Sequence, residues 1–377
     1  MSVSVVLAGG GTGGHVFPLL AIADAIRRLS EDSRLLFVGT RRGLEAGIVP
    51  AKGYPIEFLD IRPIRGMGPI GALRGVARAL AAMPQSLKLV RRERPDVVLS
   101  VGGYAAGPIT LAAWANGIVT ALVEPNSEMG LSNRCLASIV DRAYTAFEPA
   151  ERHFRVGRVL RAGVPLRPGF TSRPWEDHEG PLRLLVLGGS QGASSLNESV
   201  PNVVSLAGIP IELRHQCGKA HVEHVRKLYL SLGHTTVSVE PFIEDMPEAL
   251  AWADIVISRS GASAIGEICA IGRASILIPY PFAAGDHQAK NAQVLAKAGA
   301  AICLDSKIAS PESITNELKR MANDKLLLKR MCNAAQRLGR PEAATTIATD
   351  IIDLAKHSRS IGRRSKAASS GQPRAEA

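Results

Sequence analysis

The sequence predicts an α/β protein with two doubly wound domains, each built on a parallel sheet. Three observations support this class. Short apolar runs alternate with helical patterns in both halves, a glycine-rich loop follows the first apolar run of each half, and a proline-rich segment separates the halves. The chain has 377 residues, of which 46% are hydrophobic and 21% charged. This is enough for two domains with sizeable cores.

The predicted strands are continuous runs rich in Val, Ile and Leu and bounded by Gly or Pro, as is typical of strands buried on both faces of a sheet. They lie, in order, at residues 3–7, 35–38, 97–101, 119–123, 182–187, 236–239, 255–258 and 274–279. The helical patterns between them imply right-handed crossovers between parallel neighbours.

The domain boundaries follow from composition. Residues 1–163 form the predicted N-terminal domain, and 164–181, rich in proline and mixed in polarity, form a linker. Residues 182–340 form the C-terminal domain. The helical pattern at 341–356 could dock back on either domain, and we assign it to the N-terminal one. The basic, Ser- and Arg-rich tail at 357–377 is predicted to be disordered.

The formal net charge is +11, and the five cysteines include no C-x-x-C pair. The cysteine pattern indicates reduced thiols in a cytosolic protein and argues against a disulfide framework or a zinc site. The basic balance is compatible with nucleic acid, an anionic membrane surface or anionic substrates. We find no apolar run of the ~18 residues that suggest a membrane span, and no signal peptide.

The loop after the first strand reads Gly-Gly-Gly-Thr-Gly-Gly at 9–14. Glycines let the backbone approach a ligand closely, and the helix start behind them favours a phosphate. The loop also fits G-x-G-x-x-G, but the second strand ends in Gly-Thr-Arg-Arg at 39–42, without an acid for a ribose hydroxyl. NAD is therefore disfavoured, while NADP, with Arg41 or Arg42 on its extra phosphate, stays open.

His15 follows this loop directly and is the candidate general base. The dipole of the helix that starts there favours the neutral imidazole, which a base requires. A bound diphosphate would act the other way. In the alternative interpretation, the ring only caps the first turn of the helix.

The second half has two further loops that open helices. In Gly-Gly-Ser-Gln-Gly at 188–192, Ser190 and Gln191 can donate to phosphate oxygens, although Ser190 could simply cap the helix. After the strand at 255–258, Glu267 lies about one turn inside a helix. It either accepts from two ribose hydroxyls or is an acid that the helix dipole favours.

Other candidates are amides and strand ends. Gln288 and Asn291 suit uncharged sugar hydroxyls, or else belong to a polar helix start. The segments Gly-Gly-Tyr at 102–104 and Glu-Pro-Asn at 124–126 follow predicted strands. The carboxyl ends of parallel strands face the ligand crevice in open α/β sheets, so Asn126 is a candidate binding residue.

Residues 69–94 resemble a long amphipathic helix in which arginines interleave with apolar residues. One face either packs on the sheet with the arginines solvated, or enters an anionic membrane surface. The residues of this candidate membrane patch are Ile70, Leu73, Arg74, Arg78, Leu80 and Met83.

Taken together, the motifs resemble those of the MurG glycosyltransferases. The shared segments, in order, are residues 9–18, 102–104, 188–192, 259–262 and 286–288, and the resemblance extends from Val5 to about Ile352. It implies a GT-B fold, with two Rossmann-like domains around a central cleft. It also implies inverting transfer of N-acetylglucosamine from UDP-N-acetylglucosamine to the C4 hydroxyl of the muramoyl sugar of lipid I. The product is lipid II of peptidoglycan synthesis, and neither a metal nor a cofactor is implied.

The resemblance assigns roles to individual residues. It implies His15 as the general base, with Gly11, Gly102, Gly103 and Tyr104 in loops for the acceptor. The residues it implies for UDP-N-acetylglucosamine are Thr12, Gly13, Gly14, Asn126, Arg167, Ser190, Ile243, Ser260, Gly261, Ala262, Ser263, Ala264, Glu267 and Gln288. Among them, Arg167 and Ser190 would hold the diphosphate. Ile243 would pack on uracil and donate its backbone N–H, and Glu267 would bind ribose.

The implied partners are UDP-N-acetylglucosamine, lipid I and anionic inner-leaflet lipids, with no nucleic acid. The implied location is the cytoplasmic face of the inner membrane, as a peripheral protein. The chain departs from the family pattern at Pro125, where Gln is usual, at Ala264, where Thr is common, and in its basic tail.

Three functions other than sugar transfer fit part of the sequence. A UDP-sugar epimerase of similar architecture would need a pair of acids to move a sugar proton, and we find no such pair. A basic nucleic-acid-binding protein would account for the charge of +11 but not for three glycine-rich loops. An NADP-dependent oxidoreductase is the third.

Overall fold

A computed structural model describes residues 2–61, 81–103, 105–189 and 191–369, with the backbone alone over 361–369. The chain divides into two compact units. Unit 1 comprises Met1–Glu124, Met129–Arg167 and Glu342–Ala377, and unit 2 comprises Pro125–Glu128 and Pro168–Pro341.

Unit 1 is built on a seven-stranded parallel sheet of order β3-β2-β1-β4-β5-β6-β7. Its strands are β1 (Ser4–Gly9), β2 (Arg34–Gly39), β3 (Ile56–Phe58), β4 (Val97–Gly102), β5 (Val119–Glu124), β6 (Arg142–Thr145) and β7 (Val159–Arg161). Every residue of the central strand β4 is buried. This agrees with the continuous apolar run that predicted it.

Helices cover both faces of this sheet. They are α1 (Gly13–Leu29), α2 (Glu45–Ala51), α3 (Met83–Glu93), α4 (Ala106–Ala115), α5 (Leu131–Leu136) and, from the end of the chain, α13 (Ala343–Ser369). Apolar residues of α1 and α13 pack with one set of strand side chains, and those of α3 and α4 pack with the other.

Unit 2 has a six-stranded parallel sheet of order β10-β9-β8-β11-β12-β13. The strands are β8 (Leu182–Leu187), β9 (Ile211–Gln216), β10 (Ser238–Glu240), β11 (Ile255–Ser258), β12 (Ala274–Leu277) and β13 (Ala301–Cys303). The helices are α6 (Ser194–Ala207), α7 (Val222–Ser231), α8 (Met246–Trp252), α9 (Ala262–Ile271), α10 (His287–Lys297), α11 (Pro311–Asn323) and α12 (Lys325–Leu338). The predicted pair of doubly wound parallel sheets is confirmed.

The segment predicted as a linker is ordered in the structure. Val164, Leu166, Phe170 and Trp175 are all buried. The indole N–H of Trp175 donates to Asp254 Oδ1 at 2.8 Å. The boundary between the units falls at Arg167 and Pro168, inside the predicted linker, and Trp175 belongs to the core of unit 2.

The C-terminal helix α13 runs past the predicted end of the helix. Asp350 accepts both guanidinium bonds from Arg142, each at 2.7 Å, and the hydroxyl of Tyr144 at 2.8 Å. Farther along, the Arg359 guanidinium pairs with Asp96 and donates to the Ser2 carbonyl. The helix thus continues into the segment predicted to be disordered, where Arg359 has partners that composition alone did not reveal.

The candidate membrane patch is only partly within the described residues. Ile70, Leu73, Arg74, Arg78 and Leu80 lie outside them. Met83, the first residue of α3, is half-buried and packs in part against the core. None of the helices in the described parts of the chain is long and apolar enough to cross a bilayer.

Candidate functional site

In unit 1, the predicted loops meet at the carboxyl ends of β1 and β4. Gly9 pairs with Gly102 across the two strands. Gly103 has φ of +86°, and a Cβ there would lie 2.6 Å from the carbonyl oxygen of Gly10. This close approach requires glycine at position 103. The structure thus brings the loop at 9–14 against the Gly102–Gly103 turn, while Tyr104 lies outside the described residues.

His15 lies in the first turn of α1, and its ring turns back to the loop. Its Nδ1 is 3.0 Å from the carbonyl oxygen of Gly10. A carbonyl oxygen can only accept, so Nδ1 carries the proton of the neutral ring, and Nε2 keeps the lone pair. A Cβ on Gly102 would lie 3.4 Å from Nε2. Nε2 therefore lies beside the Gly102–Gly103 turn of unit 1.

A buried carboxylate that the sequence analysis missed supports the first loop. Glu45, only 2% exposed, accepts the N–H of Gly11 at 2.7 Å with Oε2. Its Oε1 accepts the N–H and hydroxyl of Thr40 at 2.8 and 2.9 Å. A Cβ at Gly10, Gly39 or Gly43 would overlap Glu45. Part of the glycine density in this region therefore makes room for a side chain of the protein itself.

The position of Glu45 also bears on the dinucleotide hypothesis. The four residues 39–42 that end and follow β2 include no acid, and the next acid in the chain is Glu45, which begins α2. Both of its oxygens are already bonded to Gly11 and Thr40. Its carboxylate is therefore committed within the protein, and the Gly11 N–H is not available to a phosphate.

Unit 2 contains a cavity of about 740 Å³ at the carboxyl ends of its strands, within the usual range for small-molecule sites. It combines the loop after β8, the loop after β11 and the segment after β12. Predicted residues that line it are Gly261, Ala264, Glu267 and Gln288. Gln191, Arg259, Tyr280 and Phe282 also line it. Ser190 lies outside the described residues, and Arg167, an exposed residue that ends a segment of unit 1, is not in the lining.

Arg259 gives this cavity a fixed positive group. Its guanidinium donates to the carbonyl oxygens of Ile278 and Pro279, each at 2.9 Å, and to Ser195 Oγ at 2.6 Å. Burial lowers the pKa of Arg259 from its ordinary value, yet an arginine starts so high that it stays charged near neutral pH. Helices α6 and α9 begin nearby, and their first N–H groups have no partners within the helix. The cavity is thus suited to an anion.

Several predicted binding residues are engaged within the protein. The backbone N–H of Ile243 donates to Gln216 Oε1 at 3.0 Å, so it reaches a base only after Gln216 rotates. Ser260 is fully buried, and its hydroxyl donates to the Gln288 carbonyl at 2.8 Å. The side chain of Ser260 is thus engaged within the protein in this conformation. Gln288 Oε1 accepts from the Tyr280 N–H at 2.9 Å.

Asn291 forms hydrogen bonds to three other residues of unit 2. It is fully buried, and its Oδ1 accepts the Ser127 N–H at 2.8 Å. Its amide nitrogen donates to Asn126 Oδ1 at 3.1 Å and to the Ser260 carbonyl at 3.2 Å. Of the two interpretations of Asn291, the structure therefore favours the one in which its side chain serves the protein itself. Asn291 fixes Asn126 and the Ser260 loop.

The loop at 188–192 rests on a buried polar network. Gly192 has φ of +80°, and a Cβ there would overlap the Cys217 carbonyl. Asn197 donates to that carbonyl at 3.1 Å and accepts from His215 Nε2 at 3.2 Å. His215 Nδ1 then accepts from the Tyr229 hydroxyl at 2.9 Å. In this arrangement the imidazole is neutral, with its proton on Nε2 and its lone pair on Nδ1.

This network predicts a pH dependence of stability. Burial lowers the pKa of His215 from 6.5 to about 4 in the folded chain. Between these values the unfolded chain binds a proton that the folded chain does not. The free energy of unfolding should therefore fall by about 3 kcal/mol as the pH drops through that window. Urea unfolding of a W114F background, followed by the fluorescence of Trp175 and Trp252, measures the loss in unit 2.

The control for this prediction is H215Q in the same background, since glutamine does not titrate. Its free energy of unfolding should be lower at pH 7 but should decline less between pH 6.5 and 4 than that of the parent. Equal declines in the two proteins would contradict the assignment to His215.

Comparison with known protein families identifies the class of enzyme to which the chain belongs. The glycosyltransferase family 28 N-terminal domain matches residues 5–145, and the family 28 C-terminal domain matches residues 183–347. Both glycine loops lie inside these matches. No cluster of three His, Cys, Asp or Glu side chains suited to a metal ion occurs among the described residues.

Individual relatives show which family of glycosyltransferases the chain belongs to. A Sorangium cellulosum protein named UDP-N-acetylglucosamine–N-acetylmuramyl-(pentapeptide) pyrophosphoryl-undecaprenol N-acetylglucosamine transferase is 47% identical over 94% of this chain and 89% of its own length. A protein of that name from Anaeromyxobacter dehalogenans is 42% identical over 93% of each chain. The crystal structure of Acinetobacter baumannii MurG matches with a TM-score of 0.79 and 31% identity, over 93% of this chain and 99% of that one. The chain belongs to the MurG family of glycosyltransferases.

Proposed function

We propose that this protein transfers N-acetylglucosamine from UDP-N-acetylglucosamine to the C4 hydroxyl of the muramoyl sugar of lipid I, which yields lipid II and UDP. The observation that carries the proposal is the cavity of about 740 Å³ in unit 2. Two helices begin beside it, and Arg259 and Glu267 line it. The named activity of relatives that align along nearly the whole chain supports the same substrates.

The donor binds in this cavity. Its diphosphate lies against the first turns of α6 and α9, where backbone N–H groups and the helix dipoles favour negative charge. Arg259 adds a full positive charge. Glu267 accepts from the ribose hydroxyls, and the amide of Gln288 bonds to the sugar. These contacts stabilise the charge that grows on the departing UDP and need no metal ion.

The acceptor hydroxyl is activated by His15. Nε2 takes the proton of the C4 hydroxyl as its oxygen attacks the anomeric carbon, and the bond from that carbon to the diphosphate oxygen breaks. The electron pair of the broken bond leaves with UDP. A single displacement of this kind inverts the anomeric centre. The hydrogen bond from Nδ1 to the Gly10 carbonyl keeps Nε2 in the accepting form.

We also propose that the protein acts at the cytoplasmic face of the inner membrane, since lipid I is a membrane lipid. The candidate patch is Ile70, Leu73, Arg74, Arg78, Leu80 and Met83, and its support comes from the sequence pattern alone. Each arginine near an anionic leaflet adds about 1 kcal/mol of attraction. The net charge of +11 then favours anionic lipids, rather than nucleic acid, as partners.

The test is a transfer assay with purified protein, labelled UDP-N-acetylglucosamine and a short-chain lipid I analogue. We expect equal amounts of labelled disaccharide-lipid and UDP. UDP release without a disaccharide product, or no turnover with this pair, would overturn the proposal.

The donor site is tested in the same assay by E267A. Loss of a hydrogen bond to a charged group costs about 1.5–3 kcal/mol, so the donor KM should rise about 10- to 100-fold while the acceptor KM stays constant. The control is E248A, because Glu248 is exposed and pairs with Arg173. A donor KM that E267A leaves unchanged would remove Glu267 from the site.

A further inference from the structure

One peptide group connects the buried carboxylate of unit 1 to the proposed base. The N–H of Gly11 donates to Glu45 Oε2 at 2.7 Å. The carbonyl of Gly10, in the same peptide group, accepts from His15 Nδ1 at 3.0 Å. Because a peptide group is planar, a bond that fixes the N–H direction also fixes the C=O direction. The orientation of the carbonyl that holds His15 is thus set by Glu45.

The flanking residues make this anchor necessary. The peptide lies between two glycines, and Gly11 has φ of +91°. Glycine adopts several backbone conformations at similar energy, so a peptide between two glycines rotates easily unless a partner holds it. The Glu45 contact is charge-assisted and buried, which makes it stronger than a bond between neutral groups in water. The other Glu45 oxygen is fixed by Thr40.

We propose that Glu45 is a positioning residue for His15. Through the Gly10–Gly11 peptide it keeps the proton of the neutral imidazole on Nδ1 and the lone pair on Nε2. A carboxylate that pulls on the N–H also increases the negative charge on the carbonyl oxygen of the same peptide, which strengthens its bond with Nδ1. The proposal rests on the proposed role of His15 as base, but its structural part concerns the tautomer alone.

The first variant is E45Q. In glutamine one oxygen becomes an NH₂ group. With its remaining oxygen on the two Thr40 donors, the NH₂ group faces the Gly11 N–H, donor against donor. We expect kcat to fall about 10- to 100-fold, as for the loss of one charge-assisted hydrogen bond, with the donor KM unchanged within about twofold.

The tautomer of His15 can be measured by NMR spectroscopy, independently of catalysis. Two-bond ¹H–¹⁵N spectra of histidine-labelled protein, with the His15 signals assigned by their loss in H15Q, distinguish the Nδ1–H and Nε2–H forms. We expect the Nδ1–H form in the wild type and a substantial Nε2–H population in E45Q. The Nδ1–H form in both proteins would overturn the proposal, whatever happens to kcat.

A second variant covers the case in which E45Q does not fold. In G43A the new Cβ overlaps the Glu45 carboxylate and displaces it without removing its charge, so the same change of tautomer is expected. The matched control is T40V, which removes the hydroxyl donor to Oε1 but keeps the Gly11 contact. It should lower stability without changing the tautomer, and a shift in T40V equal to that in E45Q would contradict the proposal.

The outcome for Glu45 can be separated from the outcome for the reaction. If E45Q shifts the tautomer while H15A keeps full turnover, Glu45 positions His15 but His15 is not the base. If H15A loses turnover and E45Q leaves the tautomer unchanged, the proposed base stands and the positioning role of Glu45 is overturned.

Discussion

Replacement of His15 by alanine should lower kcat for sugar transfer by about 10²- to 10⁴-fold, the usual contribution of a general base. Without an imidazole, the acceptor hydroxyl must lose its proton to water in the transition state. Binding of UDP should stay within about twofold of the wild type, because the proposed nucleotide contacts all lie in unit 2. The largest effect expected on turnover therefore comes without an effect on nucleotide affinity.

Steady-state assays and calorimetric titration with UDP measure the two quantities separately. H224A is the matched control, because His224 is an exposed histidine of α7 that pairs with Glu198. It should retain full activity. Wild-type kcat in H15A would exclude His15 as the base, and a large loss of UDP affinity would place it in the donor site instead.

Replacement of Asn291 by alanine should have the second largest effect. It removes the partners of the Ser127 N–H, the Asn126 amide oxygen and the Ser260 carbonyl in a buried setting. We expect the free energy of unfolding of unit 2 to fall by about 3 kcal/mol. Displacement of Asn126 and the Ser260 loop should lower kcat/KM about 100-fold in protein that is still folded, since small misplacements of contacts are costly.

N291D separates charge from shape. Its Oδ1 still accepts from Ser127, but the second carboxylate oxygen faces the Asn126 oxygen and the Ser260 carbonyl, both acceptors, so this isostere should be as damaging as alanine. The control is N202A, an exposed asparagine on α6. Urea unfolding and donor kinetics measure both effects, and N291D with wild-type stability would contradict the hydrogen-bond assignment.

The sequence predicted the buried central strands well. β1, β4, β8 and β11 are continuous apolar runs, and burial on both faces gives a pattern that needs no partner information. The short strands β3, β6, β7 and β13 were missed, and so was β9, in which Glu, Arg, His and Gln interrupt the apolar run. Edge position and neighbours in space decide such strands, and neither can be read from a single sequence.

For the candidate site, motifs located the loops but did not show what supports them. Glu45 and Asn291 act through hydrogen bonds to residues far away in sequence. The polarity of Asn291 suggested a sugar ligand and Glu45 was not singled out, whereas in the structure both residues bond to backbone groups of the protein. One signal was present for Glu45, since glycines at 10, 39 and 43 all adjoin it in space. Only the fold reveals that they surround the same side chain.

The C-terminal helix α13 supplies apolar residues, among them Ile347 and Ile351, to the core formed with Leu19 and Ile22 of α1. During synthesis, α13 emerges from the ribosome only after the residues of unit 2. The surface of α1 that receives it stays exposed while all of Pro168–Pro341 is translated. Unit 2 can complete its packing as soon as it emerges. Nascent chains would therefore complete the unit encoded later before the one encoded first, and premature termination would release an aggregation-prone amino-terminal half.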